Sequence, residues 1–139
     1  MALSASQLQP GQTHTARIVE DLKRTQIVQY AGASGDYNPL HTDEIFTTQV
    51  AGYPSVFAHG MLTMGMTGRM LTDWVGDARL TKYGVRFTSQ VFPGDTLDAT
   101  ATVKNVVERD GQKLVELDVK TVNQEGVEVL SGYAEARVD

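Results

Sequence analysis

The sequence predicts an α+β domain, a long antiparallel sheet curled around one buried helix. Three observations carry this. In the stretch Gly60–Trp74, apolar Met61, Leu62, Met64, Met66, Met70 and Leu71 lie nearly all round, which marks a helix expected to be buried. In the second half, Leu97, Ala99, Ala101 and Val103, then Val115, Leu117, Val119 and Thr121, recur with period two. Turn signals separate the runs: Pro93-Gly94-Asp95, Asp110-Gly111 and Asn123 to Gly126, with Asp-Gly a strong hairpin marker. Strands of roughly 8–12 residues exceed the usual five or six, and so long a curved meander needs something to wrap.

Taken in order, Met1 to Gly11 reads as a lead-in and Thr13 to Val19 as a first strand. Ile27, Val28, Tyr30 and Ala31 give helical spacing within Lys23 to Ala31, and Gly32 to His41 reads as loop. Thr42 suits an N-cap, with Asp43 and Glu44 in the first turn of a short helix ending near Val50. In the long helix, Gly65 and Gly68 each cost about 0.8–1 kcal/mol against alanine, which predicts another backbone close by. Val85, Phe87, Ser89 and Val91 then alternate with Arg86, Thr88 and Gln90 as a strand. Val127 to Val138 reads as the last strand.

A chain of 139 residues is the size of one domain, here 1–139, and 41% apolar content supports a core. Net charge −5 argues against nucleic acid or an anionic membrane surface as partner. The absence of cysteine excludes disulfides and thiolate metal sites and fits a reducing, cytoplasmic setting. The N-terminus shows no signal-peptide pattern, and no apolar run is long enough to span a bilayer.

The most informative stretch is Ser34-Gly35-Asp36-Tyr37-Asn38-Pro39-Leu40-His41. It sets a carboxylate and an imidazole on either side of Asn-Pro. The residue before proline is pushed out of the helical region, so a bend there turns Asp36 and His41 toward one cleft. Such a pair suits proton transfer. At Ala58-His59-Gly60-Met61, glycine opens the long helix, whose start offers free N–H donors to an anion. The competing readings are plainer: Asp36 and Asn38 as turn residues, His59 as a structural histidine bonded to a backbone carbonyl, His14 as merely exposed. Tyr37, Tyr53, Phe57 and Trp74 are candidates for lining a ligand pocket, with core packing the alternative. Arg24, Lys82 and Arg86 are candidates for meeting a ligand phosphate, with solvated surface charge the alternative.

These motifs, with Val91-Phe92-Pro93-Gly94-Asp95, resemble the MaoC-like dehydratases, (R)-specific enoyl-thioester hydratases of the hydratase 2 type. The runs Met61 to Met66 and Asp73 to Asp77 look most like the catalytic subunit of the mycobacterial-type fatty-acid synthase II dehydratase. Thr47, where the family usually has alanine or serine, and Ala33 depart from the pattern. The resemblance implies a hotdog fold and reversible syn hydration of trans-2-enoyl thioesters on CoA or acyl carrier protein. It places the acid/base pair on Asp36 and His41, turn support on Asn38 and the oxyanion donor on Gly60. Ser34, Gly35 and His59 belong to the motifs that carry it. It implies no metal or other cofactor, and a homodimer or a heterodimer with a related hotdog chain. A hotdog thioesterase and a non-catalytic acyl-binding subunit are the alternatives.

Overall fold

The computed structural model describes residues 3–139. Strand β1 (Thr13–Val19) lies where the alternation puts it. Helix α1 spans Arg24–Ser34, α2 Pro39–Thr42 and α3 Gly60–Val75. Four further strands follow: β2 (Leu80–Phe87), β3 (Leu97–Arg109), β4 (Gln112–Val122) and β5 (Glu128–Val138). They pair antiparallel in the order β1-β3-β4-β5-β2. Each of the four pairings carries a register shift. Such bulges strengthen local twist, and the sheet curls around α3 in the hotdog arrangement.

The inner face is built for that helix. Ala99, Ala101 and Val103 of β3 and Val115, Leu117 and Val119 of β4 are buried against Met70, Leu71 and Val75. Alanines on the sheet leave room for the helix body. Inside, the Thr67 and Thr121 hydroxyls satisfy each other at 2.8 Å, tying α3 to β4. A second cluster joins Ile27 of α1, Leu62 of α3, Leu22, Ala58, Val91, Leu97 and Val129. It binds the start of α3 to the segments that carry the motif. Among the described residues no helix is long and apolar enough to cross a membrane.

Several sequence expectations are corrected. Helix α1 continues through Gly32, Ala33 and Ser34 and ends at Gly35, whose left-handed φ of 76° suits glycine. Asp43, not Thr42, caps the turn after α2, because its Oδ1 accepts the Phe46 N–H at 3.0 Å. That turn widens into a π-helical stretch, Phe46–Val50. Strand β2 stops at Phe87, since the Thr88 and Ser89 N–H groups both turn to the Val129 carbonyl. Helix α3 is not buried all round: Met61, Gly65, Arg69 and Asp73 form an exposed stripe at four-residue spacing. No backbone passes over its glycines. Gly65 faces open space, and what approaches Gly68 is the Tyr83 ring, 3.1 Å from where a Cβ would stand. The Tyr83 hydroxyl donates to the Met64 carbonyl at 2.7 Å, and burial pushes its phenol up to about 12. His14 is half-buried, stacked on Trp74 at 4.8 Å.

Candidate active site

The bend works through caps. Asn38 Oδ1 accepts the Leu40 N–H at 3.0 Å and Pro39 occupies the first turn of α2, the arrangement that starts a helix most readily. Upstream, the Asp36 N–H donates to Ser34 Oγ (3.2 Å) and the Asn38 N–H to Asp36 Oδ1 (3.2 Å). This chain of local turns brings Asp36 Oδ2 to 4.0 Å from His41 Nε2. The imidazole is 10% exposed and the carboxylate side chain 53%.

His41 Nδ1 lies 2.7 Å from the Phe57 carbonyl. A carbonyl only accepts, so Nδ1 carries the proton and Nε2 presents its lone pair toward Asp36. His59 Nε2 donates to the Asp36 carbonyl at 3.0 Å, and its ring stacks on that of His41 at 3.8 Å and 23°. Tyr30 of α1 meets the His59 ring edge-on at 4.8 Å. Gly60 follows directly as the first residue of α3. The residue before it, His59, makes no side-chain cap, so the first helical N–H groups are left for a ligand.

Asp36, His41 and His59 place one potential ligand atom each within 4.8 Å of the others, a cluster the sequence does not reveal. It is poorly disposed to hold a metal. The two rings are stacked 23° from parallel, so the in-plane lone pairs of the nitrogens left free, His41 Nε2 and His59 Nδ1, do not converge on one point.

Beyond Gly60 opens a cavity of about 270 Å³, lined among others by Phe57, Gly60, Thr63, Phe87 and Val91. Of the four aromatic candidates, Phe57 lines it. Tyr53 packs edge-on against Phe57 at 4.9 Å, and Tyr37 is exposed beside Asp36. Trp74 does not join them. It sits fourteen residues along α3 from Gly60, about 20 Å at 1.5 Å per residue, where it stacks on His14. Arg24 is also taken: it pairs with Glu44 at 2.6 Å and holds that carboxyl below its ordinary range, while Glu44 also accepts the Val56 N–H. Lys82 and Arg86 are exposed.

Two contributors escape sequence reading. Thr47 is fully buried, with its hydroxyl 2.7 Å from the Asp43 carbonyl and 3.0 Å from that of Pro39. It therefore pins the turn carrying His41, a role its departure from the family pattern signals only faintly. Phe87 is the other. Three of its ring atoms lie 3.0 Å from where a Gly60 Cβ would be. Glycine at 60 thus makes room for this ring, which walls the cavity, as well as for any ligand. Gly60→Ala should slow turnover about tenfold with a small change in melting temperature, because the half-exposed ring can swing aside into the cavity. Adding Phe87→Leu should restore much of the rate. A double variant no faster than Gly60→Ala would show that the methyl itself obstructs the reaction.

Comparison with known proteins identifies the family. Residues 5–125 match the MaoC like domain. The 3-hydroxyacyl-thioester dehydratase Y of Mycobacterium tuberculosis is 43% identical over 91 residues, 63% of this chain and 31% of that protein. An enoyl-CoA hydratase of the same organism, ChsH3, is 39% identical over 101 residues, 70% of this chain and 32% of that protein. The chain therefore spans about a third of the length of these curated relatives. The unliganded R-hydratase PhaJ1 from Pseudomonas aeruginosa superposes with a TM-score of 0.83, covering 99% of this chain and 86% of that one at 24% identity, which speaks for the fold alone. With residues 5–125 of its 139 matched, the chain belongs to the MaoC like domain family.

Proposed function

We propose that this chain catalyses the reversible syn hydration of trans-2-enoyl thioesters to (R)-3-hydroxyacyl thioesters, on CoA or acyl carrier protein. The observation that carries the reading is His41 Nε2 facing the Asp36 carboxylate at 4.0 Å, beside the uncapped start of α3. A water oxygen about 2.8 Å from each group fits between them. In hydration the pair takes a proton from that water as its oxygen bonds to C3, and returns a proton to C2. Both groups lie on one side of the substrate's double bond, so addition is syn. Negative charge that gathers on the thioester oxygen meets the Gly60 N–H and the positive end of α3, a kind of contact worth roughly 3–4 kcal/mol in other enzymes.

Purified protein given crotonyl and long-chain enoyl thioesters on both carriers should form (R)-3-hydroxyacyl product without added metal. Release of free thiol instead would indicate the thioesterase alternative. The (S) product, or activity lost to a chelator and restored by zinc, would contradict the assignment.

The same reading assigns a second hotdog chain, a copy of this one or a relative. Tyr37, Met61 and Phe87, around the pair and the helix start, are exposed apolar side chains, and β2 leaves one edge of the sheet unpaired. Light scattering should give about twice the mass of 15.2 kDa, or a monomer that becomes active only with a partner hotdog chain. A fully active monomer would refute this part of the proposal.

A further inference from the structure

The structure assigns to His59 the task of setting the Asp36–His41 spacing, and we infer that it is a positioning residue for the chemistry proposed above, on which this inference rests. The local bonds of the motif each span two residues, from the end of α1 to the start of α2: Asp36 N–H to Ser34, Asn38 N–H to Asp36, Leu40 N–H to Asn38. They fix its shape but not its place relative to α3. Placement comes from the segment Phe57–His59 through three bonds. The Phe57 N–H donates to the Leu40 carbonyl at 3.2 Å, His41 Nδ1 donates to the Phe57 carbonyl at 2.7 Å, and His59 Nε2 donates to the Asp36 carbonyl at 3.0 Å. The first two hold the His41 end. Among the described residues, the third is the one hydrogen bond that ties Asp36 to a residue more than two positions away in the chain.

His59 also reaches the other member of the pair, through its ring face stacked on His41. It is 2% exposed, pressed from the far side by Tyr30, and its Nδ1 is buried without a partner. One side chain thus touches the backbone of the carboxylate residue and the ring of the imidazole, while the next residue, Gly60, supplies the N–H donor. A slip at His59 moves Asp36 relative to both.

A polarity-matched pair of variants tests this. Glutamine carries its amide about as far from the backbone as imidazole Nε2, whereas asparagine ends about where Nδ1 lies and falls short of Asp36. His59→Gln should keep kcat within about fivefold of wild type. His59→Asn should lower kcat about 100-fold with KM within about threefold, because misplacement of a reacting group by about 1 Å has that effect. A readout independent of activity accompanies it. Amide hydrogen exchange at Asn38, Leu40 and His41 should quicken about tenfold in His59→Asn and stay near wild type in His59→Gln. Equal kcat in the two variants, or unchanged exchange in His59→Asn, would overturn the inference. Wild-type protein inactive on every thioester would instead sink the hydratase reading, and the exchange experiment would still decide the role of His59.

Discussion

Asp36→Asn and His41→Ala should each lower hydration turnover about 100-fold or more. The folded chain should tolerate both. Asp36 projects from an exposed loop, and asparagine keeps the Oδ1 that accepts the Asn38 N–H. His41→Ala gives up the bond to the Phe57 carbonyl and the stack on His59, a cost of about 1–2 kcal/mol that leaves the fold intact. On the proposed mechanism the two groups share one reacting water and act as a unit. The double variant should be scarcely slower than either single one. Steady-state rates on an enoyl thioester, beside melting curves, make the comparison, and near-wild-type hydration in either single variant would remove the pair from the mechanism.

Gly132→Ala is expected to be the most damaging small substitution in the sheet. A Cβ on Gly132 would run into the Gly84 carbonyl oxygen and stand 2.7 Å from Val85 Cα. Backbone cannot swing away as a side chain does, so β2 must shift off β5. A loss of about 3 kcal/mol or more follows, roughly 10 °C in melting temperature. Gly84→Ala is the control. There the obstacle is the Tyr133 ring, which is exposed and free to move, so the loss should be smaller. Since β2 ends in Phe87, the ring against Gly60, Gly132→Ala should also slow the folded fraction. Melting within 2 °C of wild type would mean that the β2–β5 contact relaxes more easily than the geometry implies.

How much of this was legible beforehand depends on how local the causes are. Leu97 to Val103 and Val115 to Thr121 declare their buried face because period two is written into neighbouring residues. Asp110-Gly111 declares its turn because both residues must take positive φ, and they do, at 52° and 76°. Asn38-Pro39 likewise acts within its own few residues. What stayed hidden is long-range. The exposed stripe of α3 is invisible in a helix rich in methionine and glycine, because only the sheet decides which side is covered. Trp74 looks like a tunnel residue until the length of α3 sets it far from Gly60. Thr47 and Phe87 matter through contacts with residues distant in sequence or turned back on the chain, for which no spacing rule exists.

The more exposed member of the pair stands outside the cavity: Asp36 faces solvent, whereas the space lined by Phe57, Gly60 and Phe87 lies beyond the helix start. Under the proposed assignment, the two reactants enter by separate doors. Water arrives over Asp36, and the acyl group occupies the recess past Gly60. Neither has to queue behind the other, so in the dehydrating direction the expelled water leaves while the enoyl thioester is still seated. Crowding in the recess should then affect one reactant: bulk added at Val91 would hinder the acyl chain and leave access to Asp36 unchanged.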